Sequence, residues 1–85
     1  MKQFEYTITD KEGIHARPAG LLVKQAGKYA SKITMTKGEK AADCKKLFAI
    51  MGLGVKCGDT VTLSLEGQDE VEAALAMEGF LKDHL

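Results

Sequence analysis

The sequence predicts an α+β fold in which a four-stranded antiparallel sheet carries three helices on one face. The main evidence is that the hydrophobic period switches between two and about 3.6 residues, and the switches give the element order β-α-β-β-α-β-α. The composition, 45% hydrophobic and 28% charged, is that of an ordinary globular protein. A chain of 85 residues is long enough for one compact domain, spanning 1–85, and not for two.

The first strand is predicted where Phe4, Tyr6 and Ile8 alternate with polar residues as far as Thr9. Such alternation places the apolar side chains on one face, as in a half-buried strand. A turn or loop is predicted to follow over 10–13.

The first helix is predicted to begin at about residue 16, because apolar residues recur from there at helical spacing. Its apolar stripe contains Ala19, Leu22, Val23, Ala26 and then Tyr29 or Ala30. Pro18, the only proline, falls in the first turn, where proline is tolerated. His15 is therefore expected at the helix N-cap or immediately before it.

The middle of the chain predicts a strand pair and a short helix. The stretch 32–36 alternates and is rich in β-forming residues, and a tight turn at 37–39 leads to a weak strand at 40–43. A short helix is predicted over 46–53. Its apolar side is formed by Leu47, Ile50 and Met51, and Gly52 and Gly54 end it.

The last two elements are a strand over 60–65 and a helix running to about His84. Asp69 followed by Glu72 three residues later predicts a capping pair at the start of this helix. Two helical phases fit the sequence, one with Ala73, Ala74, Met77 and Leu81 inside and one with Val71, Ala74 and Leu75 inside. The first is favoured because it continues to the end of the chain.

Several classes of protein are disfavoured by the sequence. No stretch approaches the ~18 apolar residues of a membrane span, and 1–5 lack the apolar region of a secretion signal, so we expect a cytoplasmic protein without membrane insertion. Cys44 and Cys57 lack metal-ligand spacing and are expected to be reduced, half-buried hydrophobic residues. We expect no metal and no cofactor.

The net charge is zero, but the charges are unevenly distributed along the chain. The first 56 residues hold eleven of the 12 basic side chains and five of the 12 acidic ones. This asymmetry suggests a basic face for acidic partners and gives little reason to expect nucleic-acid binding. Two ordinary solvated faces remain the alternative.

The candidate functional residues lie together in the run from Gly13 to Pro18. The first amide N–H groups of a helix lack intrahelical partners, and the helix dipole adds positive potential there. This field disfavours a charged imidazole, so a neutral, nucleophilic His15 ring is expected near neutral pH. The same N–H groups suit a phosphoryl group once it is attached to the ring, and Arg17 adds a fork of donors. His84 is interpreted as an incidental surface residue.

The segment Gly13-Ile14-His15-Ala16-Arg17-Pro18-Ala19 resembles the active-site signature of HPr, the histidine-containing phosphocarrier family of the bacterial sugar phosphotransferase system. The stretch Lys45–Gly54 resembles the second signature of the family, and the resemblance covers essentially the whole chain. It implies an open-faced β-sandwich and a monomeric carrier rather than an autonomous enzyme. Enzyme I would phosphorylate His15 at Nδ1, and the group would pass to the IIA domains of sugar permeases.

The resemblance also implies roles for the residues around His15. The residues that would bind the phosphoryl group are Ala16, Arg17 and Pro18. Partner docking falls to the surface containing Ala16, Arg17, Gly20, Leu21, Lys24, Leu47, Phe48 and Met51. Core packing is the alternative for Leu47 and Phe48, but two consecutive large apolar residues on a short helix cannot both point inward.

Three residues depart from the family pattern. Lys46 stands where a serine is common, which a kinase phosphorylates in many Gram-positive bacteria, so no regulatory phosphorylation is expected there. Gly20 and Gly52 replace residues with side chains, which either loosens the docking helices or allows a partner to approach closely.

Two other functions remain open at this point. One is a carrier in a paralogous relay of the nitrogen-regulatory or multiphosphoryl type. The other is a non-catalytic regulatory binding protein of the same fold. Retention of both His15 and Arg17 argues against the second, because binding alone does not require a nucleophile at a helix start.

Overall fold

The computed structural model describes all of 1–85 and contains every predicted element. The strands are β1 (Lys2–Thr7), β2 (Lys32–Lys37), β3 (Lys40–Asp43) and β4 (Thr60–Glu66). The helices are α1 (Ala16–Ala26), α2 (Leu47–Gly52) and α3 (Glu70–His84). The order β-α-β-β-α-β-α confirms the predicted fold class.

The four strands form one antiparallel sheet in the spatial order β1-β4-β2-β3. Side chains on one face of β2 and β4 are completely buried, and those between them are half-exposed or exposed. The buried residues of these two strands are Ile33, Met35, Val61, Leu63 and Leu65. This alternation is that of a sheet with one covered and one open face, which is an open-faced β-sandwich.

The helices complete a single hydrophobic cluster against the covered face. They contribute Ala19, Leu22 and Ala26 from α1, Ile50 from α2, and Ala73, Met77 and Leu81 from α3. The favoured phase of α3 is confirmed, since Val71 and Leu75 of the other phase are 53% and 69% exposed.

Some predicted boundaries are wrong by a few residues. β1 ends at Thr7 because the N–H and C=O of Ile8 leave the sheet and bond to Asp59 and Gly58. α1 ends at Ala26 and does not continue to Tyr29 or Ala30, because the amides of Lys28 and Tyr29 bond to the carbonyls three residues back, at 3.2 Å each, in a tightened last turn. α2 is one residue shorter at each end than predicted, with Lys46 as its N-cap.

The two cysteines are free, but their burial differs from the expectation. Cys44 is completely buried in the core, and Cys57 is exposed. Burial raises the pKa of the Cys44 thiol to about 12, so this residue is an unreactive core hydrophobe at neutral pH. None of the helices combines the length and the hydropathy that a membrane crossing needs.

The predicted capping pair of Asp69 and Glu72 is wrong. Asp69 occupies the N-cap position of α3, but its side chain makes no bond to that helix. Its carboxylate accepts hydrogen bonds from the amides of Ala30 (2.8 Å) and Ser31 (2.9 Å) and from the Ser31 hydroxyl. Asp69 therefore ties the start of α3 to the turn between α1 and β2. The bond from the Ser31 hydroxyl, followed by the amide bonds, lowers the pKa of Asp69.

We expect Asp69→Asn to lower the urea midpoint of unfolding at pH 7 and to flatten the loss of stability in acid. Because the folded-state pKa of Asp69 lies below its ordinary value of 3.8, its contribution is present above that value and is lost as the pH falls through the folded-state pKa. Urea titrations at pH 7 and pH 3 measure both effects. Asp83→Asn, which alters an exposed carboxylate in α3, is the control. Equal midpoints for Asp69→Asn and wild type at pH 7 would contradict a stabilising role for the bonds from Asp69 to Ala30 and Ser31.

Candidate functional site

The loop that leads into α1 is fixed by a close backbone contact at Gly13. Gly13 has φ +67°, and a Cβ at this position would overlap the carbonyl oxygen of Val55 and lie 2.7 Å from the Cα of Lys56. The next residue, Ile14, donates its N–H to the same Val55 oxygen at 3.0 Å. Only glycine adopts this dihedral angle easily and leaves room for the neighbouring backbone. The loop can therefore pack against 55–56 in only one position.

The segment 54–59, against which this loop packs, is held in place by Lys37 and Asp59. Lys37 Nζ donates to the carbonyl oxygen of Gly54 at 2.8 Å and lies 3.0 Å from Asp59 Oδ2. Asp59 also accepts the N–H of Lys56 at 2.8 Å. The Lys56 amide and then the Lys37 ammonium lower the pKa of Asp59. These bonds connect the segment that carries the loop before His15 to the last residue of β2, Lys37.

The other side of the loop is anchored by the end of α3. The main-chain oxygen of Leu85 accepts the N–H groups of Thr9 (2.6 Å) and Asp10 (2.8 Å) and the Thr9 hydroxyl (3.0 Å). Leu85 itself is buried. The last residue of the sequence therefore lies at the base of the loop that precedes His15.

His15 is the N-cap of α1, as predicted. Its backbone is extended (φ −109°, ψ −175°), and its carbonyl accepts the first helical hydrogen bond, from Ala19 at 2.9 Å. The side chain makes no capping bond to the helix and is 41% exposed. The imidazole is thus accessible while its backbone is rigidly placed.

Two unpaired amide donors lie directly after the imidazole. The N–H groups of Ala16 and Arg17 bond to no other group of the protein, and Pro18 has none to offer. Pro18 and Ala19 are buried and fix the first turn of α1 against the core. This end of the helix carries positive potential and is suited to an anion beside His15.

Arg17 adds a full positive charge to the same place. Its side chain is exposed and forms no ion pair with a carboxylate. An open cavity of about 310 Å³ lies here and is lined by Asp10, His15, Arg17, Pro18, Leu21 and His84. The structure thus brings the predicted His15, Arg17 and Pro18 to one cavity, with the amide of Ala16 at the same helix start.

Two residues at the site were missed by the sequence analysis. His84 stacks on Phe80 with ring centroids 4.4 Å apart and lines the cavity that His15 shares, so the interpretation as an incidental residue is incomplete. Glu12 Oε2 lies 3.2 Å from His15 Nε2. The three-residue separation of Glu12 and His15 was the available signal, but the stretch was interpreted only as a loop.

The predicted docking residues lie on α1 and α2, which pack against each other. Phe48 is 83% exposed, and Leu21 and Met51 are 41% and 37% exposed. Lys24 is also exposed, Gly20 is partly exposed, and Leu47 is half-buried against the core. As predicted, the neighbours Leu47 and Phe48 do not both point inward.

Neither unusual glycine is required by packing within the chain. A Cβ at Gly20 or Gly52 would meet no atom within 4 Å. Lys46, at the N-cap of α2, is exposed and makes no capping bond. The surfaces of α1 and α2 therefore have room for side chains or a partner at Gly20 and Gly52, and Lys46 is exposed at the start of α2.

The fold and the site define a small α+β protein with an accessible histidine at a helix start, followed by two unpaired amides. The family model described as "PTS HPr component phosphorylation site" matches 2–83 of the chain. The phosphocarrier protein HPr of Lysinibacillus sphaericus is 43% identical over 83 residues, which are 98% of this chain and 94% of that protein.

Solved structures agree with this match. HPr of Thermoanaerobacter tengcongensis is 42% identical, with a TM-score of 0.93, and the alignment covers 98% of this chain and 93% of that one. An HPr dimer from the same organism has a TM-score of 0.78 at 42% identity, with 98% and 95% covered. The chain belongs to the HPr family of phosphocarrier proteins of the phosphotransferase system.

We expect Gly13→Ala to destabilise the protein more than Gly38→Ala. Both glycines have similar positive φ angles, +67° and +59°, but only Gly13 has atoms within reach of a new Cβ. Gly38→Ala should cost about 1–2 kcal/mol of the free energy of unfolding through its dihedral angle alone. Gly13→Ala should cost a further ~1–3 kcal/mol through overpacking. Urea denaturation measures both, and equal losses would contradict the role given to the Val55 contact.

Proposed function

We propose that the protein carries a phosphoryl group on His15 Nδ1, accepting it from phosphorylated enzyme I and donating it to the IIA domains of sugar permeases. The observation that carries the proposal is the position of His15 at the N-cap of α1, beside the unpaired amides of Ala16 and Arg17. Membership of the HPr family supports the same reaction. The protein is a carrier and not an autonomous enzyme, and we propose that it acts as a cytoplasmic monomer.

The reaction is a transfer of one phosphoryl group to a neutral imidazole. The Nδ1 lone pair forms a bond to phosphorus while the bond between phosphorus and the donor breaks, and that electron pair leaves with the donor. In the second transfer, a nucleophile of a IIA domain forms a bond to phosphorus while the N–P bond breaks, and the electron pair of that bond returns to Nδ1. Because a phosphoryl group transfers with little covalent participation by the protein, positioning and charge stabilisation do most of the work.

The residues after His15 supply that stabilisation. The amides of Ala16 and Arg17 are unpaired, so binding phosphoryl oxygens would not require them to give up another bond. The Arg17 guanidinium has no ion-pair partner to release and provides two parallel donors to an anion. Pro18 keeps the first turn in place because it is buried and conformationally restricted.

The docking surface combines an apolar centre with basic neighbours. Phe48, Met51 and Leu21 are large apolar side chains exposed on α1 and α2. Arg17 and Lys24 on α1 and Lys46 at the start of α2 are exposed near them in sequence and bear no ion pairs. Such a surface suits an acidic partner with an apolar pocket, because aromatic anchors and Arg dominate binding energy at interfaces.

We expect His15→Ala to abolish phosphorylation by enzyme I and phosphoenolpyruvate. Arg17→Ala should slow it by about 10- to 100-fold, because hydrogen bonds to a charged group contribute about 1.5–3 kcal/mol. Mass spectrometry measures the acid-labile gain of one phosphoryl group on the wild-type chain and the rate for each variant. Arg17→Lys keeps the charge without the fork and should fall between wild type and Arg17→Ala.

Two results would overturn the proposal. One is a wild-type chain that is not phosphorylated, which would leave a regulatory binding protein as the better reading. The other is a His15→Ala variant that still gains an acid-labile group. Phosphorylation by enzyme I without transfer to any sugar-permease IIA domain would instead favour a paralogous relay.

We expect Phe48→Ala to raise the KM for the protein as a substrate of enzyme I by about tenfold, with little change in kcat. A largely exposed aromatic anchor contributes to binding and hardly to folding, so the free energy of unfolding should stay within ~0.5 kcal/mol of wild type. Leu75→Ala, which removes another exposed apolar side chain on α3, is the matched control and should leave KM unchanged. Equal KM values for the two variants would exclude Phe48 from the docking surface.

A further inference from the structure

We propose that Glu12 is a positioning residue that holds the His15 ring in the tautomer with its proton on Nε2, leaving the Nδ1 lone pair free to attack phosphorus. This inference rests on the proposed function of His15 and adds a residue from outside the Gly13–Pro18 run to the site.

The two ring nitrogens of His15 have different surroundings. Glu12 Oε2 lies 3.2 Å from Nε2, within hydrogen-bonding distance. Nδ1 makes no capping bond to the helix. A neutral imidazole has one donor nitrogen and one acceptor nitrogen, and an ionised carboxylate can only accept. The contact with Glu12 therefore favours the proton on Nε2 and the free lone pair on Nδ1.

The backbone of Glu12 is held in place for this contact. Its N–H donates to Asp10 Oδ1 at 2.8 Å, and the N–H of Gly13 donates to the carbonyl oxygen of Asp10 at 3.0 Å. The tight contact of Gly13 with Val55 fixes the same turn from the other side. The Glu12 carboxylate is 75% exposed and forms no ion pair with a Lys or Arg side chain, so His15 is its only charged or chargeable partner.

The same contact has a second consequence once the transfer has occurred. A ring that keeps its Nε2 proton and gains a phosphoryl group on Nδ1 carries a positive charge. The Glu12 carboxylate faces that proton and balances the charge, while the amides of Ala16 and Arg17 lie at the helix start. When the phosphoryl group leaves, the electron pair of the N–P bond returns to Nδ1 and the proton stays on Nε2. No proton has to move in either direction.

The expected effect is moderate because the pair is exposed to solvent. Exposed pairs of this kind change an equilibrium by about two- to fivefold. The Nδ1–H to Nε2–H ratio of the neutral ring should therefore rise by this factor when the carboxylate is removed.

The test is nitrogen NMR of ¹⁵N-histidine-labelled protein at about pH 9, where an ordinary histidine is neutral. The chemical shifts of the two ring nitrogens report the tautomer ratio directly. Glu12→Ala should raise the Nδ1–H to Nε2–H ratio two- to fivefold, and Glu12→Gln, which keeps a neutral acceptor oxygen, should raise it less. Glu39→Ala, which removes an exposed carboxylate from the β2–β3 turn, is the control and should leave the ratio unchanged.

An unchanged ratio in Glu12→Ala would overturn the inference, as would an equal change in Glu39→Ala. Because Glu12 is exposed, the variants should give wild-type amide spectra apart from the loop. The tautomer ratio is measured without enzyme I, so a failure of the proposed function appears separately, as a wild-type chain that is not phosphorylated. In the enzyme I assay, Glu12→Ala should also accept the phosphoryl group two- to fivefold more slowly than Glu39→Ala. Equal rates would remove the charge-balancing part of the inference.

Discussion

The site depends on one steric constraint, the contact between the Gly13 backbone and Val55–Lys56. Any residue other than glycine would place its Cβ against the carbonyl oxygen of Val55, so no other residue fits, and the loop cannot shift along the segment it packs against. A shift of one residue would rotate the start of α1 by about 100° and move the imidazole away from the cavity. The oxygen of Leu85 holds the loop from the opposite side through Thr9 and Asp10. The position of His15 at the N-cap follows from these contacts.

The electrostatic surroundings of His15 follow from its position at the start of α1. The first turn of α1 contains no acidic side chain, and it carries Arg17. The first turn of α3 contains Glu70 and Glu72, which complement the positive end of that helix from within the chain. The first turn of α1 therefore has no acidic side chain of its own to complement its positive end, and an anion from outside can bind there. Glu12 lies outside the helix, and its carboxylate contacts Nε2 of His15.

The sequence predicted the order of the elements and the position of His15 because both depend on local patterns. Each signal lies within a single element: the alternation in β4, and the apolar stripe from Ala19 to Ala26 and the proline at position 18 in α1. What it missed depends on tertiary structure, either directly or through the shape that distant contacts give to a loop. Asp69 bonds to Ala30 and Ser31 from far along the chain, and this tertiary contact displaced the local capping pair. His84 reaches the cavity only because α3 ends beside the loop. The contact of Glu12 with His15 requires the loop shape that Gly13 imposes.

In the proposed function, the unpaired amides at the start of α1 receive a phosphoryl group held on His15. The most direct measurement is a ¹H–¹⁵N spectrum of the wild-type protein before and after phosphorylation by enzyme I and phosphoenolpyruvate. We expect the amide resonances of Ala16 and Arg17 to move strongly downfield, because new hydrogen bonds form, and a phosphorus–nitrogen coupling to appear at Nδ1 of His15. A phosphorylated protein in which these two amides keep their positions, or in which the coupling lies at another nitrogen, would contradict it.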